Sequence, residues 1–153
     1  NPMKDHGISL EKRFQLLSLL VNEISNPQIE VCQHLSSPWA IETLNKATRL
    51  WPTSHLTFVI GSDLIDEMPN WRNAKEVLKK ANIGIAPRIG WPIHQKKLDV
   101  LENLGGKYQL LPLEIPFSSS TTVRNNPNIS NIPSSILQVL SNQNLYGLTK
   151  EQK

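Results

Sequence analysis

The chain alternates between two patterns of apolar residues, one with the period of a helix and one typical of strands. The helical pattern predicts five helices: one after the N-cap candidate Ser9, one opened by Ser37-Pro38, and three over 74–80, 95–104 and 134–142. Short apolar runs predict four strands, over 29–33, 56–61, 82–86 and 108–113. This alternation, without repeats or an interdomain linker, predicts a single α/β domain with a Rossmann-like, doubly wound parallel sheet flanked by helices.

The strand pattern also indicates where a ligand would bind. The run LTFVIG at 56–61 is apolar except for Thr57, as expected of a strand that is covered on both faces. In sheets of this class, ligands bind beyond the carboxyl ends of the strands. The loops that follow Ile60, Ala86 and Leu113 are therefore the candidates for a binding site.

The composition is that of a globular domain, but it does not identify the ligand. With 39% hydrophobic and 19% charged residues among 153, the chain has the balance of one globular domain. The net charge of +3 suits a small anion, and because no basic run is long enough for a nucleic-acid groove, nucleic acid is not an expected partner. No apolar stretch reaches membrane-spanning length, so no membrane partner is expected either. The single cysteine, Cys32, excludes an internal disulfide and fits a reducing cytoplasm.

The first candidate loop carries Gly61, Asp63 and, eight residues further on, Trp71. Gly61 allows close approach of the backbone where the strand ends. Asp63 can accept hydrogen bonds from ribose hydroxyls, although a lone Asp in this place more often caps the next helix. The indole of Trp71 can stack on a ligand ring, or it can anchor its loop in the core. The residues alone leave both pairs of alternatives open.

The second candidate loop, APRIGWP, places Arg88 where its guanidinium could neutralise a phosphate, with Gly90 supplying the turn. The alternative is a solvated surface arginine. Taken alone, Arg88 favours that alternative.

The third candidate loop contains five consecutive hydroxyl residues followed closely by an arginine. If a helix begins at 119–122, its unpaired N–H groups and its dipole favour an anion at that point. The side chains that would add donors are those of Ser119, Ser120, Thr121 and Arg124. A flexible Ser-rich linker is the alternative, but the apolar residues on both sides of the run favour an ordered, phosphate-binding segment.

Other chemistries find little support in the sequence. The four histidines show no ligand spacing with cysteine or carboxylates, so a protein metal site is not predicted. The chain has neither a Walker-A loop nor a Gly-rich dinucleotide fingerprint. Cys32 lies in a predicted strand and is interpreted as structural rather than nucleophilic.

Together, the three loops resemble those of the nicotinate- and nicotinamide-nucleotide adenylyltransferases, a family of the HxGH nucleotidyltransferase superfamily. FVIGSD followed by PNW resembles the family's strand, G-x-D and downstream Trp, and PRIGWP resembles its R-x-G loop. SSTTVR at 119–124 matches its Ser-Ser-Thr-x-(Ile/Val)-Arg signature, which is the most specific of these motifs. QNLY resembles a C-terminal motif of many members, so the resemblance spans nearly the whole chain.

The resemblance implies adenylyl transfer in NAD biosynthesis. The 5′-phosphate of a pyridine mononucleotide attacks the α-phosphate of ATP, giving the dinucleotide and pyrophosphate without a covalent enzyme intermediate. Mg²⁺ would be held by the ATP phosphates, and a homo-oligomer is compatible with the family. The implied roles are ATP phosphate binding by Ser119, Ser120, Thr121 and Arg124, nucleotide binding by Gly61 and Asp63, and pyridine mononucleotide binding by Trp39, Trp71 and Arg88.

The sequence departs from the family pattern in two places. SPWAIETL has Trp39-Ala40 where many nicotinate-specific members carry Tyr-Thr, which keeps the backbone donors but leaves the preference between acid and amide open. The HxGH histidines are absent, so no catalytic residue is assigned. We therefore expect an N-terminally incomplete domain in which the strand at 56–61 has an unpaired edge. The alternatives are a nucleotidyltransferase with another phosphorylated acceptor and a non-catalytic nucleotide-binding or regulatory domain.

Overall fold

The computed structural model describes residues 7–115 and 132–148, and they fall into two compact units. Residues 35–115 form the first, which we call the sheet unit. Residues 7–34 and 132–148 form the second, which we call the helical unit. No helix in the described ranges is long and apolar enough to cross a bilayer.

The sheet unit contains three parallel strands in the order β1-β2-β3. Their bounds are β1 Leu56–Gly61, β2 Ala81–Ala86 and β3 Tyr108–Leu110. The predicted parallel sheet is confirmed, but β3 ends earlier than the sequence suggested. Leu111 still donates its N–H to the carbonyl of Ile85 (2.8 Å), and the next residue, Pro112, has no N–H with which to continue the ladder.

The described residues form five α-helices, close to where the apolar pattern predicts them. Their bounds are α1 Leu10–Ile24, α2 Ala40–Leu50, α3 Ala74–Lys80, α4 Gln95–Asn103 and α5 Ser134–Asn142. Short 3₁₀ turns cover Gln33–Leu35, Ser62–Leu64, Met68–Asn70 and Leu145–Gly147.

Of the first two predicted helix starts, one is confirmed and one is wrong. Ser9 caps α1 as predicted, because its side chain accepts the N–H of Lys12 at 3.2 Å. The predicted start of α2 at Ser37-Pro38 is wrong, since the N-cap is Trp39. The Ser37 hydroxyl accepts the N–H of Trp39 (3.2 Å) and donates to Glu42 (2.6 Å), so it closes a turn in front of the helix instead of capping it.

The strand predicted over 29–33 is wrong. Residues 29–32 have no regular secondary structure, and the 3₁₀ turn Gln33–Leu35 follows them. A strand needs a partner for its backbone groups, and nothing in the described ranges forms a ladder with this segment. Ile29 is 41% exposed, so the segment also lacks the burial of a core strand.

The core of the sheet unit is built around β2. Ile83 and Ile85 are fully buried, with Val77 of α3 and Leu101 of α4 in the same cluster. β1 is covered on one face only, which corrects the expectation that both of its faces are covered. Ile60 is buried, but Thr57 and Val59 lie on the opposite face and are exposed, Val59 by 58%. β1 is thus an edge strand of the described sheet, paired on one side with β2.

The helical unit has a separate, smaller core. α1 and α5 pack on each other through Leu16 and Leu140, and Leu148 completes the buried cluster. Partly buried apolar residues such as Ile8 and Ile136 surround it.

Truncating a β2 side chain should cost far more stability than truncating one on the open face of β1. We expect Ile83→Ala to lower the free energy of unfolding by about 2–5 kcal/mol, because it leaves a cavity in a packed core. Val59→Ala should change it by less than about 0.5 kcal/mol, as for other exposed sites. Urea denaturation of both variants checks this. An equally large loss at Val59 would show that the open face of β1 is covered in the folded protein.

Candidate functional site

The first two candidate loops meet at one edge of the sheet. β1 and β2 run parallel, with Gly61 paired to Ala86 at their carboxyl ends. The segments that follow, 62–64 and 87–91, therefore begin side by side. This is the edge at which parallel sheets bind ligands.

Asp63 and Arg88, two of the predicted site residues, form an ion pair at this edge. The Asp63 Oδ2 atom accepts a hydrogen bond from a guanidinium nitrogen of Arg88 at 2.7 Å. The side chains are only 22% and 20% exposed, which makes this a short and partly buried contact. The alternative of a solvated surface arginine is therefore wrong for Arg88.

The alternative role of Asp63 as a helix cap is also wrong. Asp63 lies inside the 3₁₀ turn Ser62–Leu64, whose N-cap is Gly61, and no side chain caps that turn. The next helix, α3, has Asn73 at its N-cap. The Asp63 carboxylate instead faces Arg88.

Ser62 links the two loops and was missed by the sequence analysis. Its side chain is buried, and its hydroxyl accepts the N–H of Arg88 (3.0 Å) while donating to the carbonyl of Trp91 (2.8 Å). One hydroxyl thereby fixes both ends of the turn that carries Arg88. The only available signal was a small hydroxyl residue directly after a strand, which is too common to single out.

Both glycines of these loops have a structural role, and the turn predicted at Gly90 is confirmed, whereas nucleotide binding by Gly61 stays a prediction. A side chain at Gly61 would collide with the Oδ1 atom of Asp63, so glycine lets the carboxylate fold back over the end of β1. Gly90 has a φ of 86°, and the N–H of Trp91 donates to the carbonyl of Arg88 (3.0 Å) to close the turn.

The turn is also held from the side of the third candidate loop. Ile89 donates its N–H to the carbonyl of Ile115 (3.0 Å), and Ile115 donates its own to the carbonyl of Pro87 (2.6 Å). The chain that follows β3 therefore runs beside the Arg88 turn as far as residue 115. The predicted phosphate-binding residues lie outside the part of the chain that the structure describes. They are Ser119, Ser120, Thr121 and Arg124.

Trp71 is partly buried and packs against the core of the sheet unit. Its ring meets Phe58 edge to face, with 6.1 Å between the centroids and 84° between the planes. The structure therefore supports the anchoring alternative. Stacking on a ligand stays a prediction for this indole.

Trp39 is likewise partly buried against that core, at the start of α2. The guanidinium carbon of Arg72 lies over its ring, 5.2 Å from the centroid. The N–H of Trp39 already donates to Ser37, so this backbone donor is engaged within the protein. Arg72 was not among the residues singled out from the sequence.

Neither a metal centre nor an activated thiol is seen in the parts of the chain that the structure describes. No group of three or more His, Cys, Asp or Glu side chains in these ranges could hold a metal ion. Desolvation, together with the negative charge of Glu30, raises the pKa of the Cys32 thiol. The thiol is therefore protonated at neutral pH and is a weak nucleophile.

Comparisons with known proteins identify the family. No protein-family model matches the chain. A curated probable nicotinate-nucleotide adenylyltransferase of Synechocystis is 34% identical over 114 residues, which cover 72% of this chain and 57% of that protein. The chain belongs to the nicotinate-nucleotide adenylyltransferase family. A probable nicotinate-nucleotide adenylyltransferase of Caldicellulosiruptor saccharolyticus is 30% identical over 132 residues, or 80% of this chain and 64% of that protein.

Solved structures of the adenylyltransferase family have the same fold. The Plasmodium falciparum nicotinic acid mononucleotide adenylyltransferase complexed with APC aligns with a TM-score of 0.66 at 21% identity, covering 91% of this chain and 76% of that chain. The complex of that enzyme with NaAD aligns with a TM-score of 0.64. The α/β nucleotidyltransferase fold predicted from the sequence is thereby confirmed. The chain spans 57–64% of the length of the two curated adenylyltransferases named above.

The Asp63–Arg88 pair should stabilise the protein measurably. In a double-mutant cycle with Asp63→Asn and Arg88→Gln, we expect a coupling free energy of about 1–3 kcal/mol, because the contact is short and partly buried. The more exposed Lys97–Asp66 pair is the matched control, and its coupling should stay below about 1 kcal/mol. Thermal unfolding of each cycle gives the comparison. Equal coupling in the two pairs would contradict the assignment.

Proposed function

We propose that the complete protein transfers the adenylyl group of ATP to nicotinate or nicotinamide mononucleotide, giving the dinucleotide and pyrophosphate in NAD biosynthesis. The observation that carries this proposal is the Asp63–Arg88 ion pair at the carboxyl ends of two parallel strands, where Ser62 bonds to the backbone of the turn that carries Arg88. The names of the curated relatives and the NaAD complex of the Plasmodium falciparum enzyme support it. We also propose that the protein is located in the cytoplasm.

The reaction needs positioning and charge neutralisation more than covalent help from the protein. A phosphate oxygen of the mononucleotide attacks the α-phosphorus of ATP, the bond between the α-phosphorus and the β-bridging oxygen breaks, and pyrophosphate leaves. Mg²⁺ is proposed to enter with the substrate as MgATP, held by the ATP phosphates. None of the 153 residues is assigned a catalytic role.

Asp63 is proposed to accept hydrogen bonds from ribose hydroxyls. A carboxylate has about four acceptor positions, so the contact between Oδ2 and Arg88 leaves capacity for a ligand. Because Arg88 holds the carboxylate in place and Gly61 leaves room for it, the acceptor is oriented before the ligand arrives. Arg88 in turn is proposed to border the mononucleotide.

The phosphate and pyridine contacts complete the proposal. Ser119, Ser120, Thr121 and Arg124 are proposed to bind the ATP phosphates, as their match to the family signature suggests. Trp71 is proposed to stack on the pyridine ring while it keeps its contact with Phe58. Trp39 is proposed to lie beside the same ring.

Synthesis of the dinucleotide tests the proposal directly. We expect protein made from its complete reading frame to release pyrophosphate from MgATP only when a pyridine mononucleotide is present, with the dinucleotide detected by chromatography. Other phosphorylated acceptors should give no product. Pyrophosphate release with a different acceptor alone would favour a related nucleotidyltransferase, and binding of ATP without turnover of any acceptor would favour a non-catalytic domain.

Removing the Arg124 side chain from the proposed phosphate-binding segment should weaken ATP binding. For Arg124→Ala we expect a loss of about 1.5–3 kcal/mol, the usual range for a hydrogen bond to a charged group. Arg49→Ala is the matched control, because Arg49 is an exposed arginine near the end of α2. Calorimetric titration with MgATP gives both affinities, and equal affinities would remove Arg124 from the site.

Removing the indole of Trp71 should affect both binding and stability. We expect Trp71→Ala to raise the KM for the mononucleotide about 5- to 150-fold, since stacking of a base on an aromatic ring contributes about 1–3 kcal/mol. The melting temperature should fall as well, because the contact with Phe58 is lost. Trp51→Ala, at a tryptophan that is 41% exposed, is the control. A lower melting temperature with an unchanged KM would leave Trp71 with the anchoring role alone.

A further inference from the structure

The turn that carries Arg88 is not anchored by its apolar side chains. Ile89 and Trp91 are both large and apolar, yet they are 46% and 49% exposed. Burial of apolar surface therefore does little to hold residues 88–91 against the core of the sheet unit. The position of this turn depends instead on hydrogen bonds from neighbouring segments.

Those hydrogen bonds come from two segments and reach different residues. Ile115 bonds through its backbone to the residues directly before and after Arg88, at 2.6 and 3.0 Å. The Ser62 hydroxyl accepts the N–H of Arg88 itself (3.0 Å) and donates to the carbonyl of Trp91 (2.8 Å). Ser62 thus ties the backbone of Arg88 to the end of β1.

Ser62 and Asp63 together hold Arg88 at two points. The Ser62 hydroxyl holds its backbone, and the Asp63 carboxylate accepts a hydrogen bond from its guanidinium at 2.7 Å. Because hydrogen bonds weaken as their distance and angle depart from the optimum, a shift of the backbone would disturb the contact of the guanidinium as well. The hydroxyl therefore influences where the charged group lies, although it bonds only to the backbone of the turn.

We propose that Ser62 is a positioning residue for binding of the pyridine mononucleotide. The inference rests on the proposed function, in which Arg88 borders the mononucleotide, and it extends that site to a residue that acts through Arg88. Ser62 is buried, and both hydrogen bonds of its hydroxyl go to the protein backbone. Its loss should therefore weaken binding of the mononucleotide and leave binding of MgATP nearly unchanged.

The kinetic constants of Ser62→Ala test this inference in protein made from its complete reading frame. We expect the KM for the mononucleotide to rise about 3- to 30-fold, because a small displacement of a positioned group weakens its contact with the ligand. The KM for MgATP and kcat should change less than about 2-fold, since the bonds from Ile115 still hold the turn. Ser141→Ala, at a buried serine of α5, is the matched control and should leave both KM values unchanged.

A double-mutant cycle with Arg88→Gln shows whether Ser62 acts through Arg88. In the Arg88→Gln background no guanidinium is left to be positioned. Adding Ser62→Ala there should change kcat/KM for the mononucleotide less than about 2-fold. If the effects of the two substitutions multiply instead, Ser62 acts independently of Arg88 and the inference is overturned.

The outcomes separate this inference from the proposed function. If the unaltered protein makes the dinucleotide and Ser62→Ala leaves the KM for the mononucleotide unchanged, the inference is overturned and the proposed function stands. If Ser62→Ala raises the KM values of both substrates equally and lowers the melting temperature, Ser62 has a structural role only, which also overturns the inference. If the unaltered protein binds no pyridine mononucleotide in calorimetric titration, both the function and the inference are wrong.

Discussion

The buried hydroxyl of Ser62 is the contact on which the candidate site depends. It bonds to the N–H of Arg88 and to the carbonyl of Trp91, so the end of one strand fixes the turn that follows its neighbour. Because Asp63 is the next residue, its carboxylate lies within reach of the guanidinium that this turn presents. The parallel pairing of β1 and β2 brings the two segments together, and the hydroxyl then fixes their geometry.

Two arginine–carboxylate contacts in the sheet unit differ in length and in exposure. Asp63 and Arg88 are close and largely shielded from water, which keeps both groups in place. Arg72 and Glu42 are further apart and exposed, so their partnership is exchangeable. A rigid pair of this kind can orient a substrate hydroxyl, and in the proposed function the Asp63–Arg88 pair would hold a ribose.

The sequence predicted those features that depend on nearby residues. The capping of α1 by Ser9 and the turn at Gly90 follow from contacts within a few positions. The strand predicted over 29–33 failed because a strand depends on a distant partner, which residue preferences do not reveal. Ser62 and Arg72 were missed for the same reason, since their hydrogen-bond partners are 26 to 30 residues away in the chain.

The most direct test of the account is an amide NMR titration of the protein, made from its complete reading frame, with the dinucleotide product. We expect the largest shift changes at residues 61–63, 71 and 88–91. A matching titration of Asp63→Asn should weaken the dinucleotide's affinity while leaving the pattern of shifts in place. Changes concentrated in α1 and α5, with none at the ends of β1 and β2, would contradict the placement of the site.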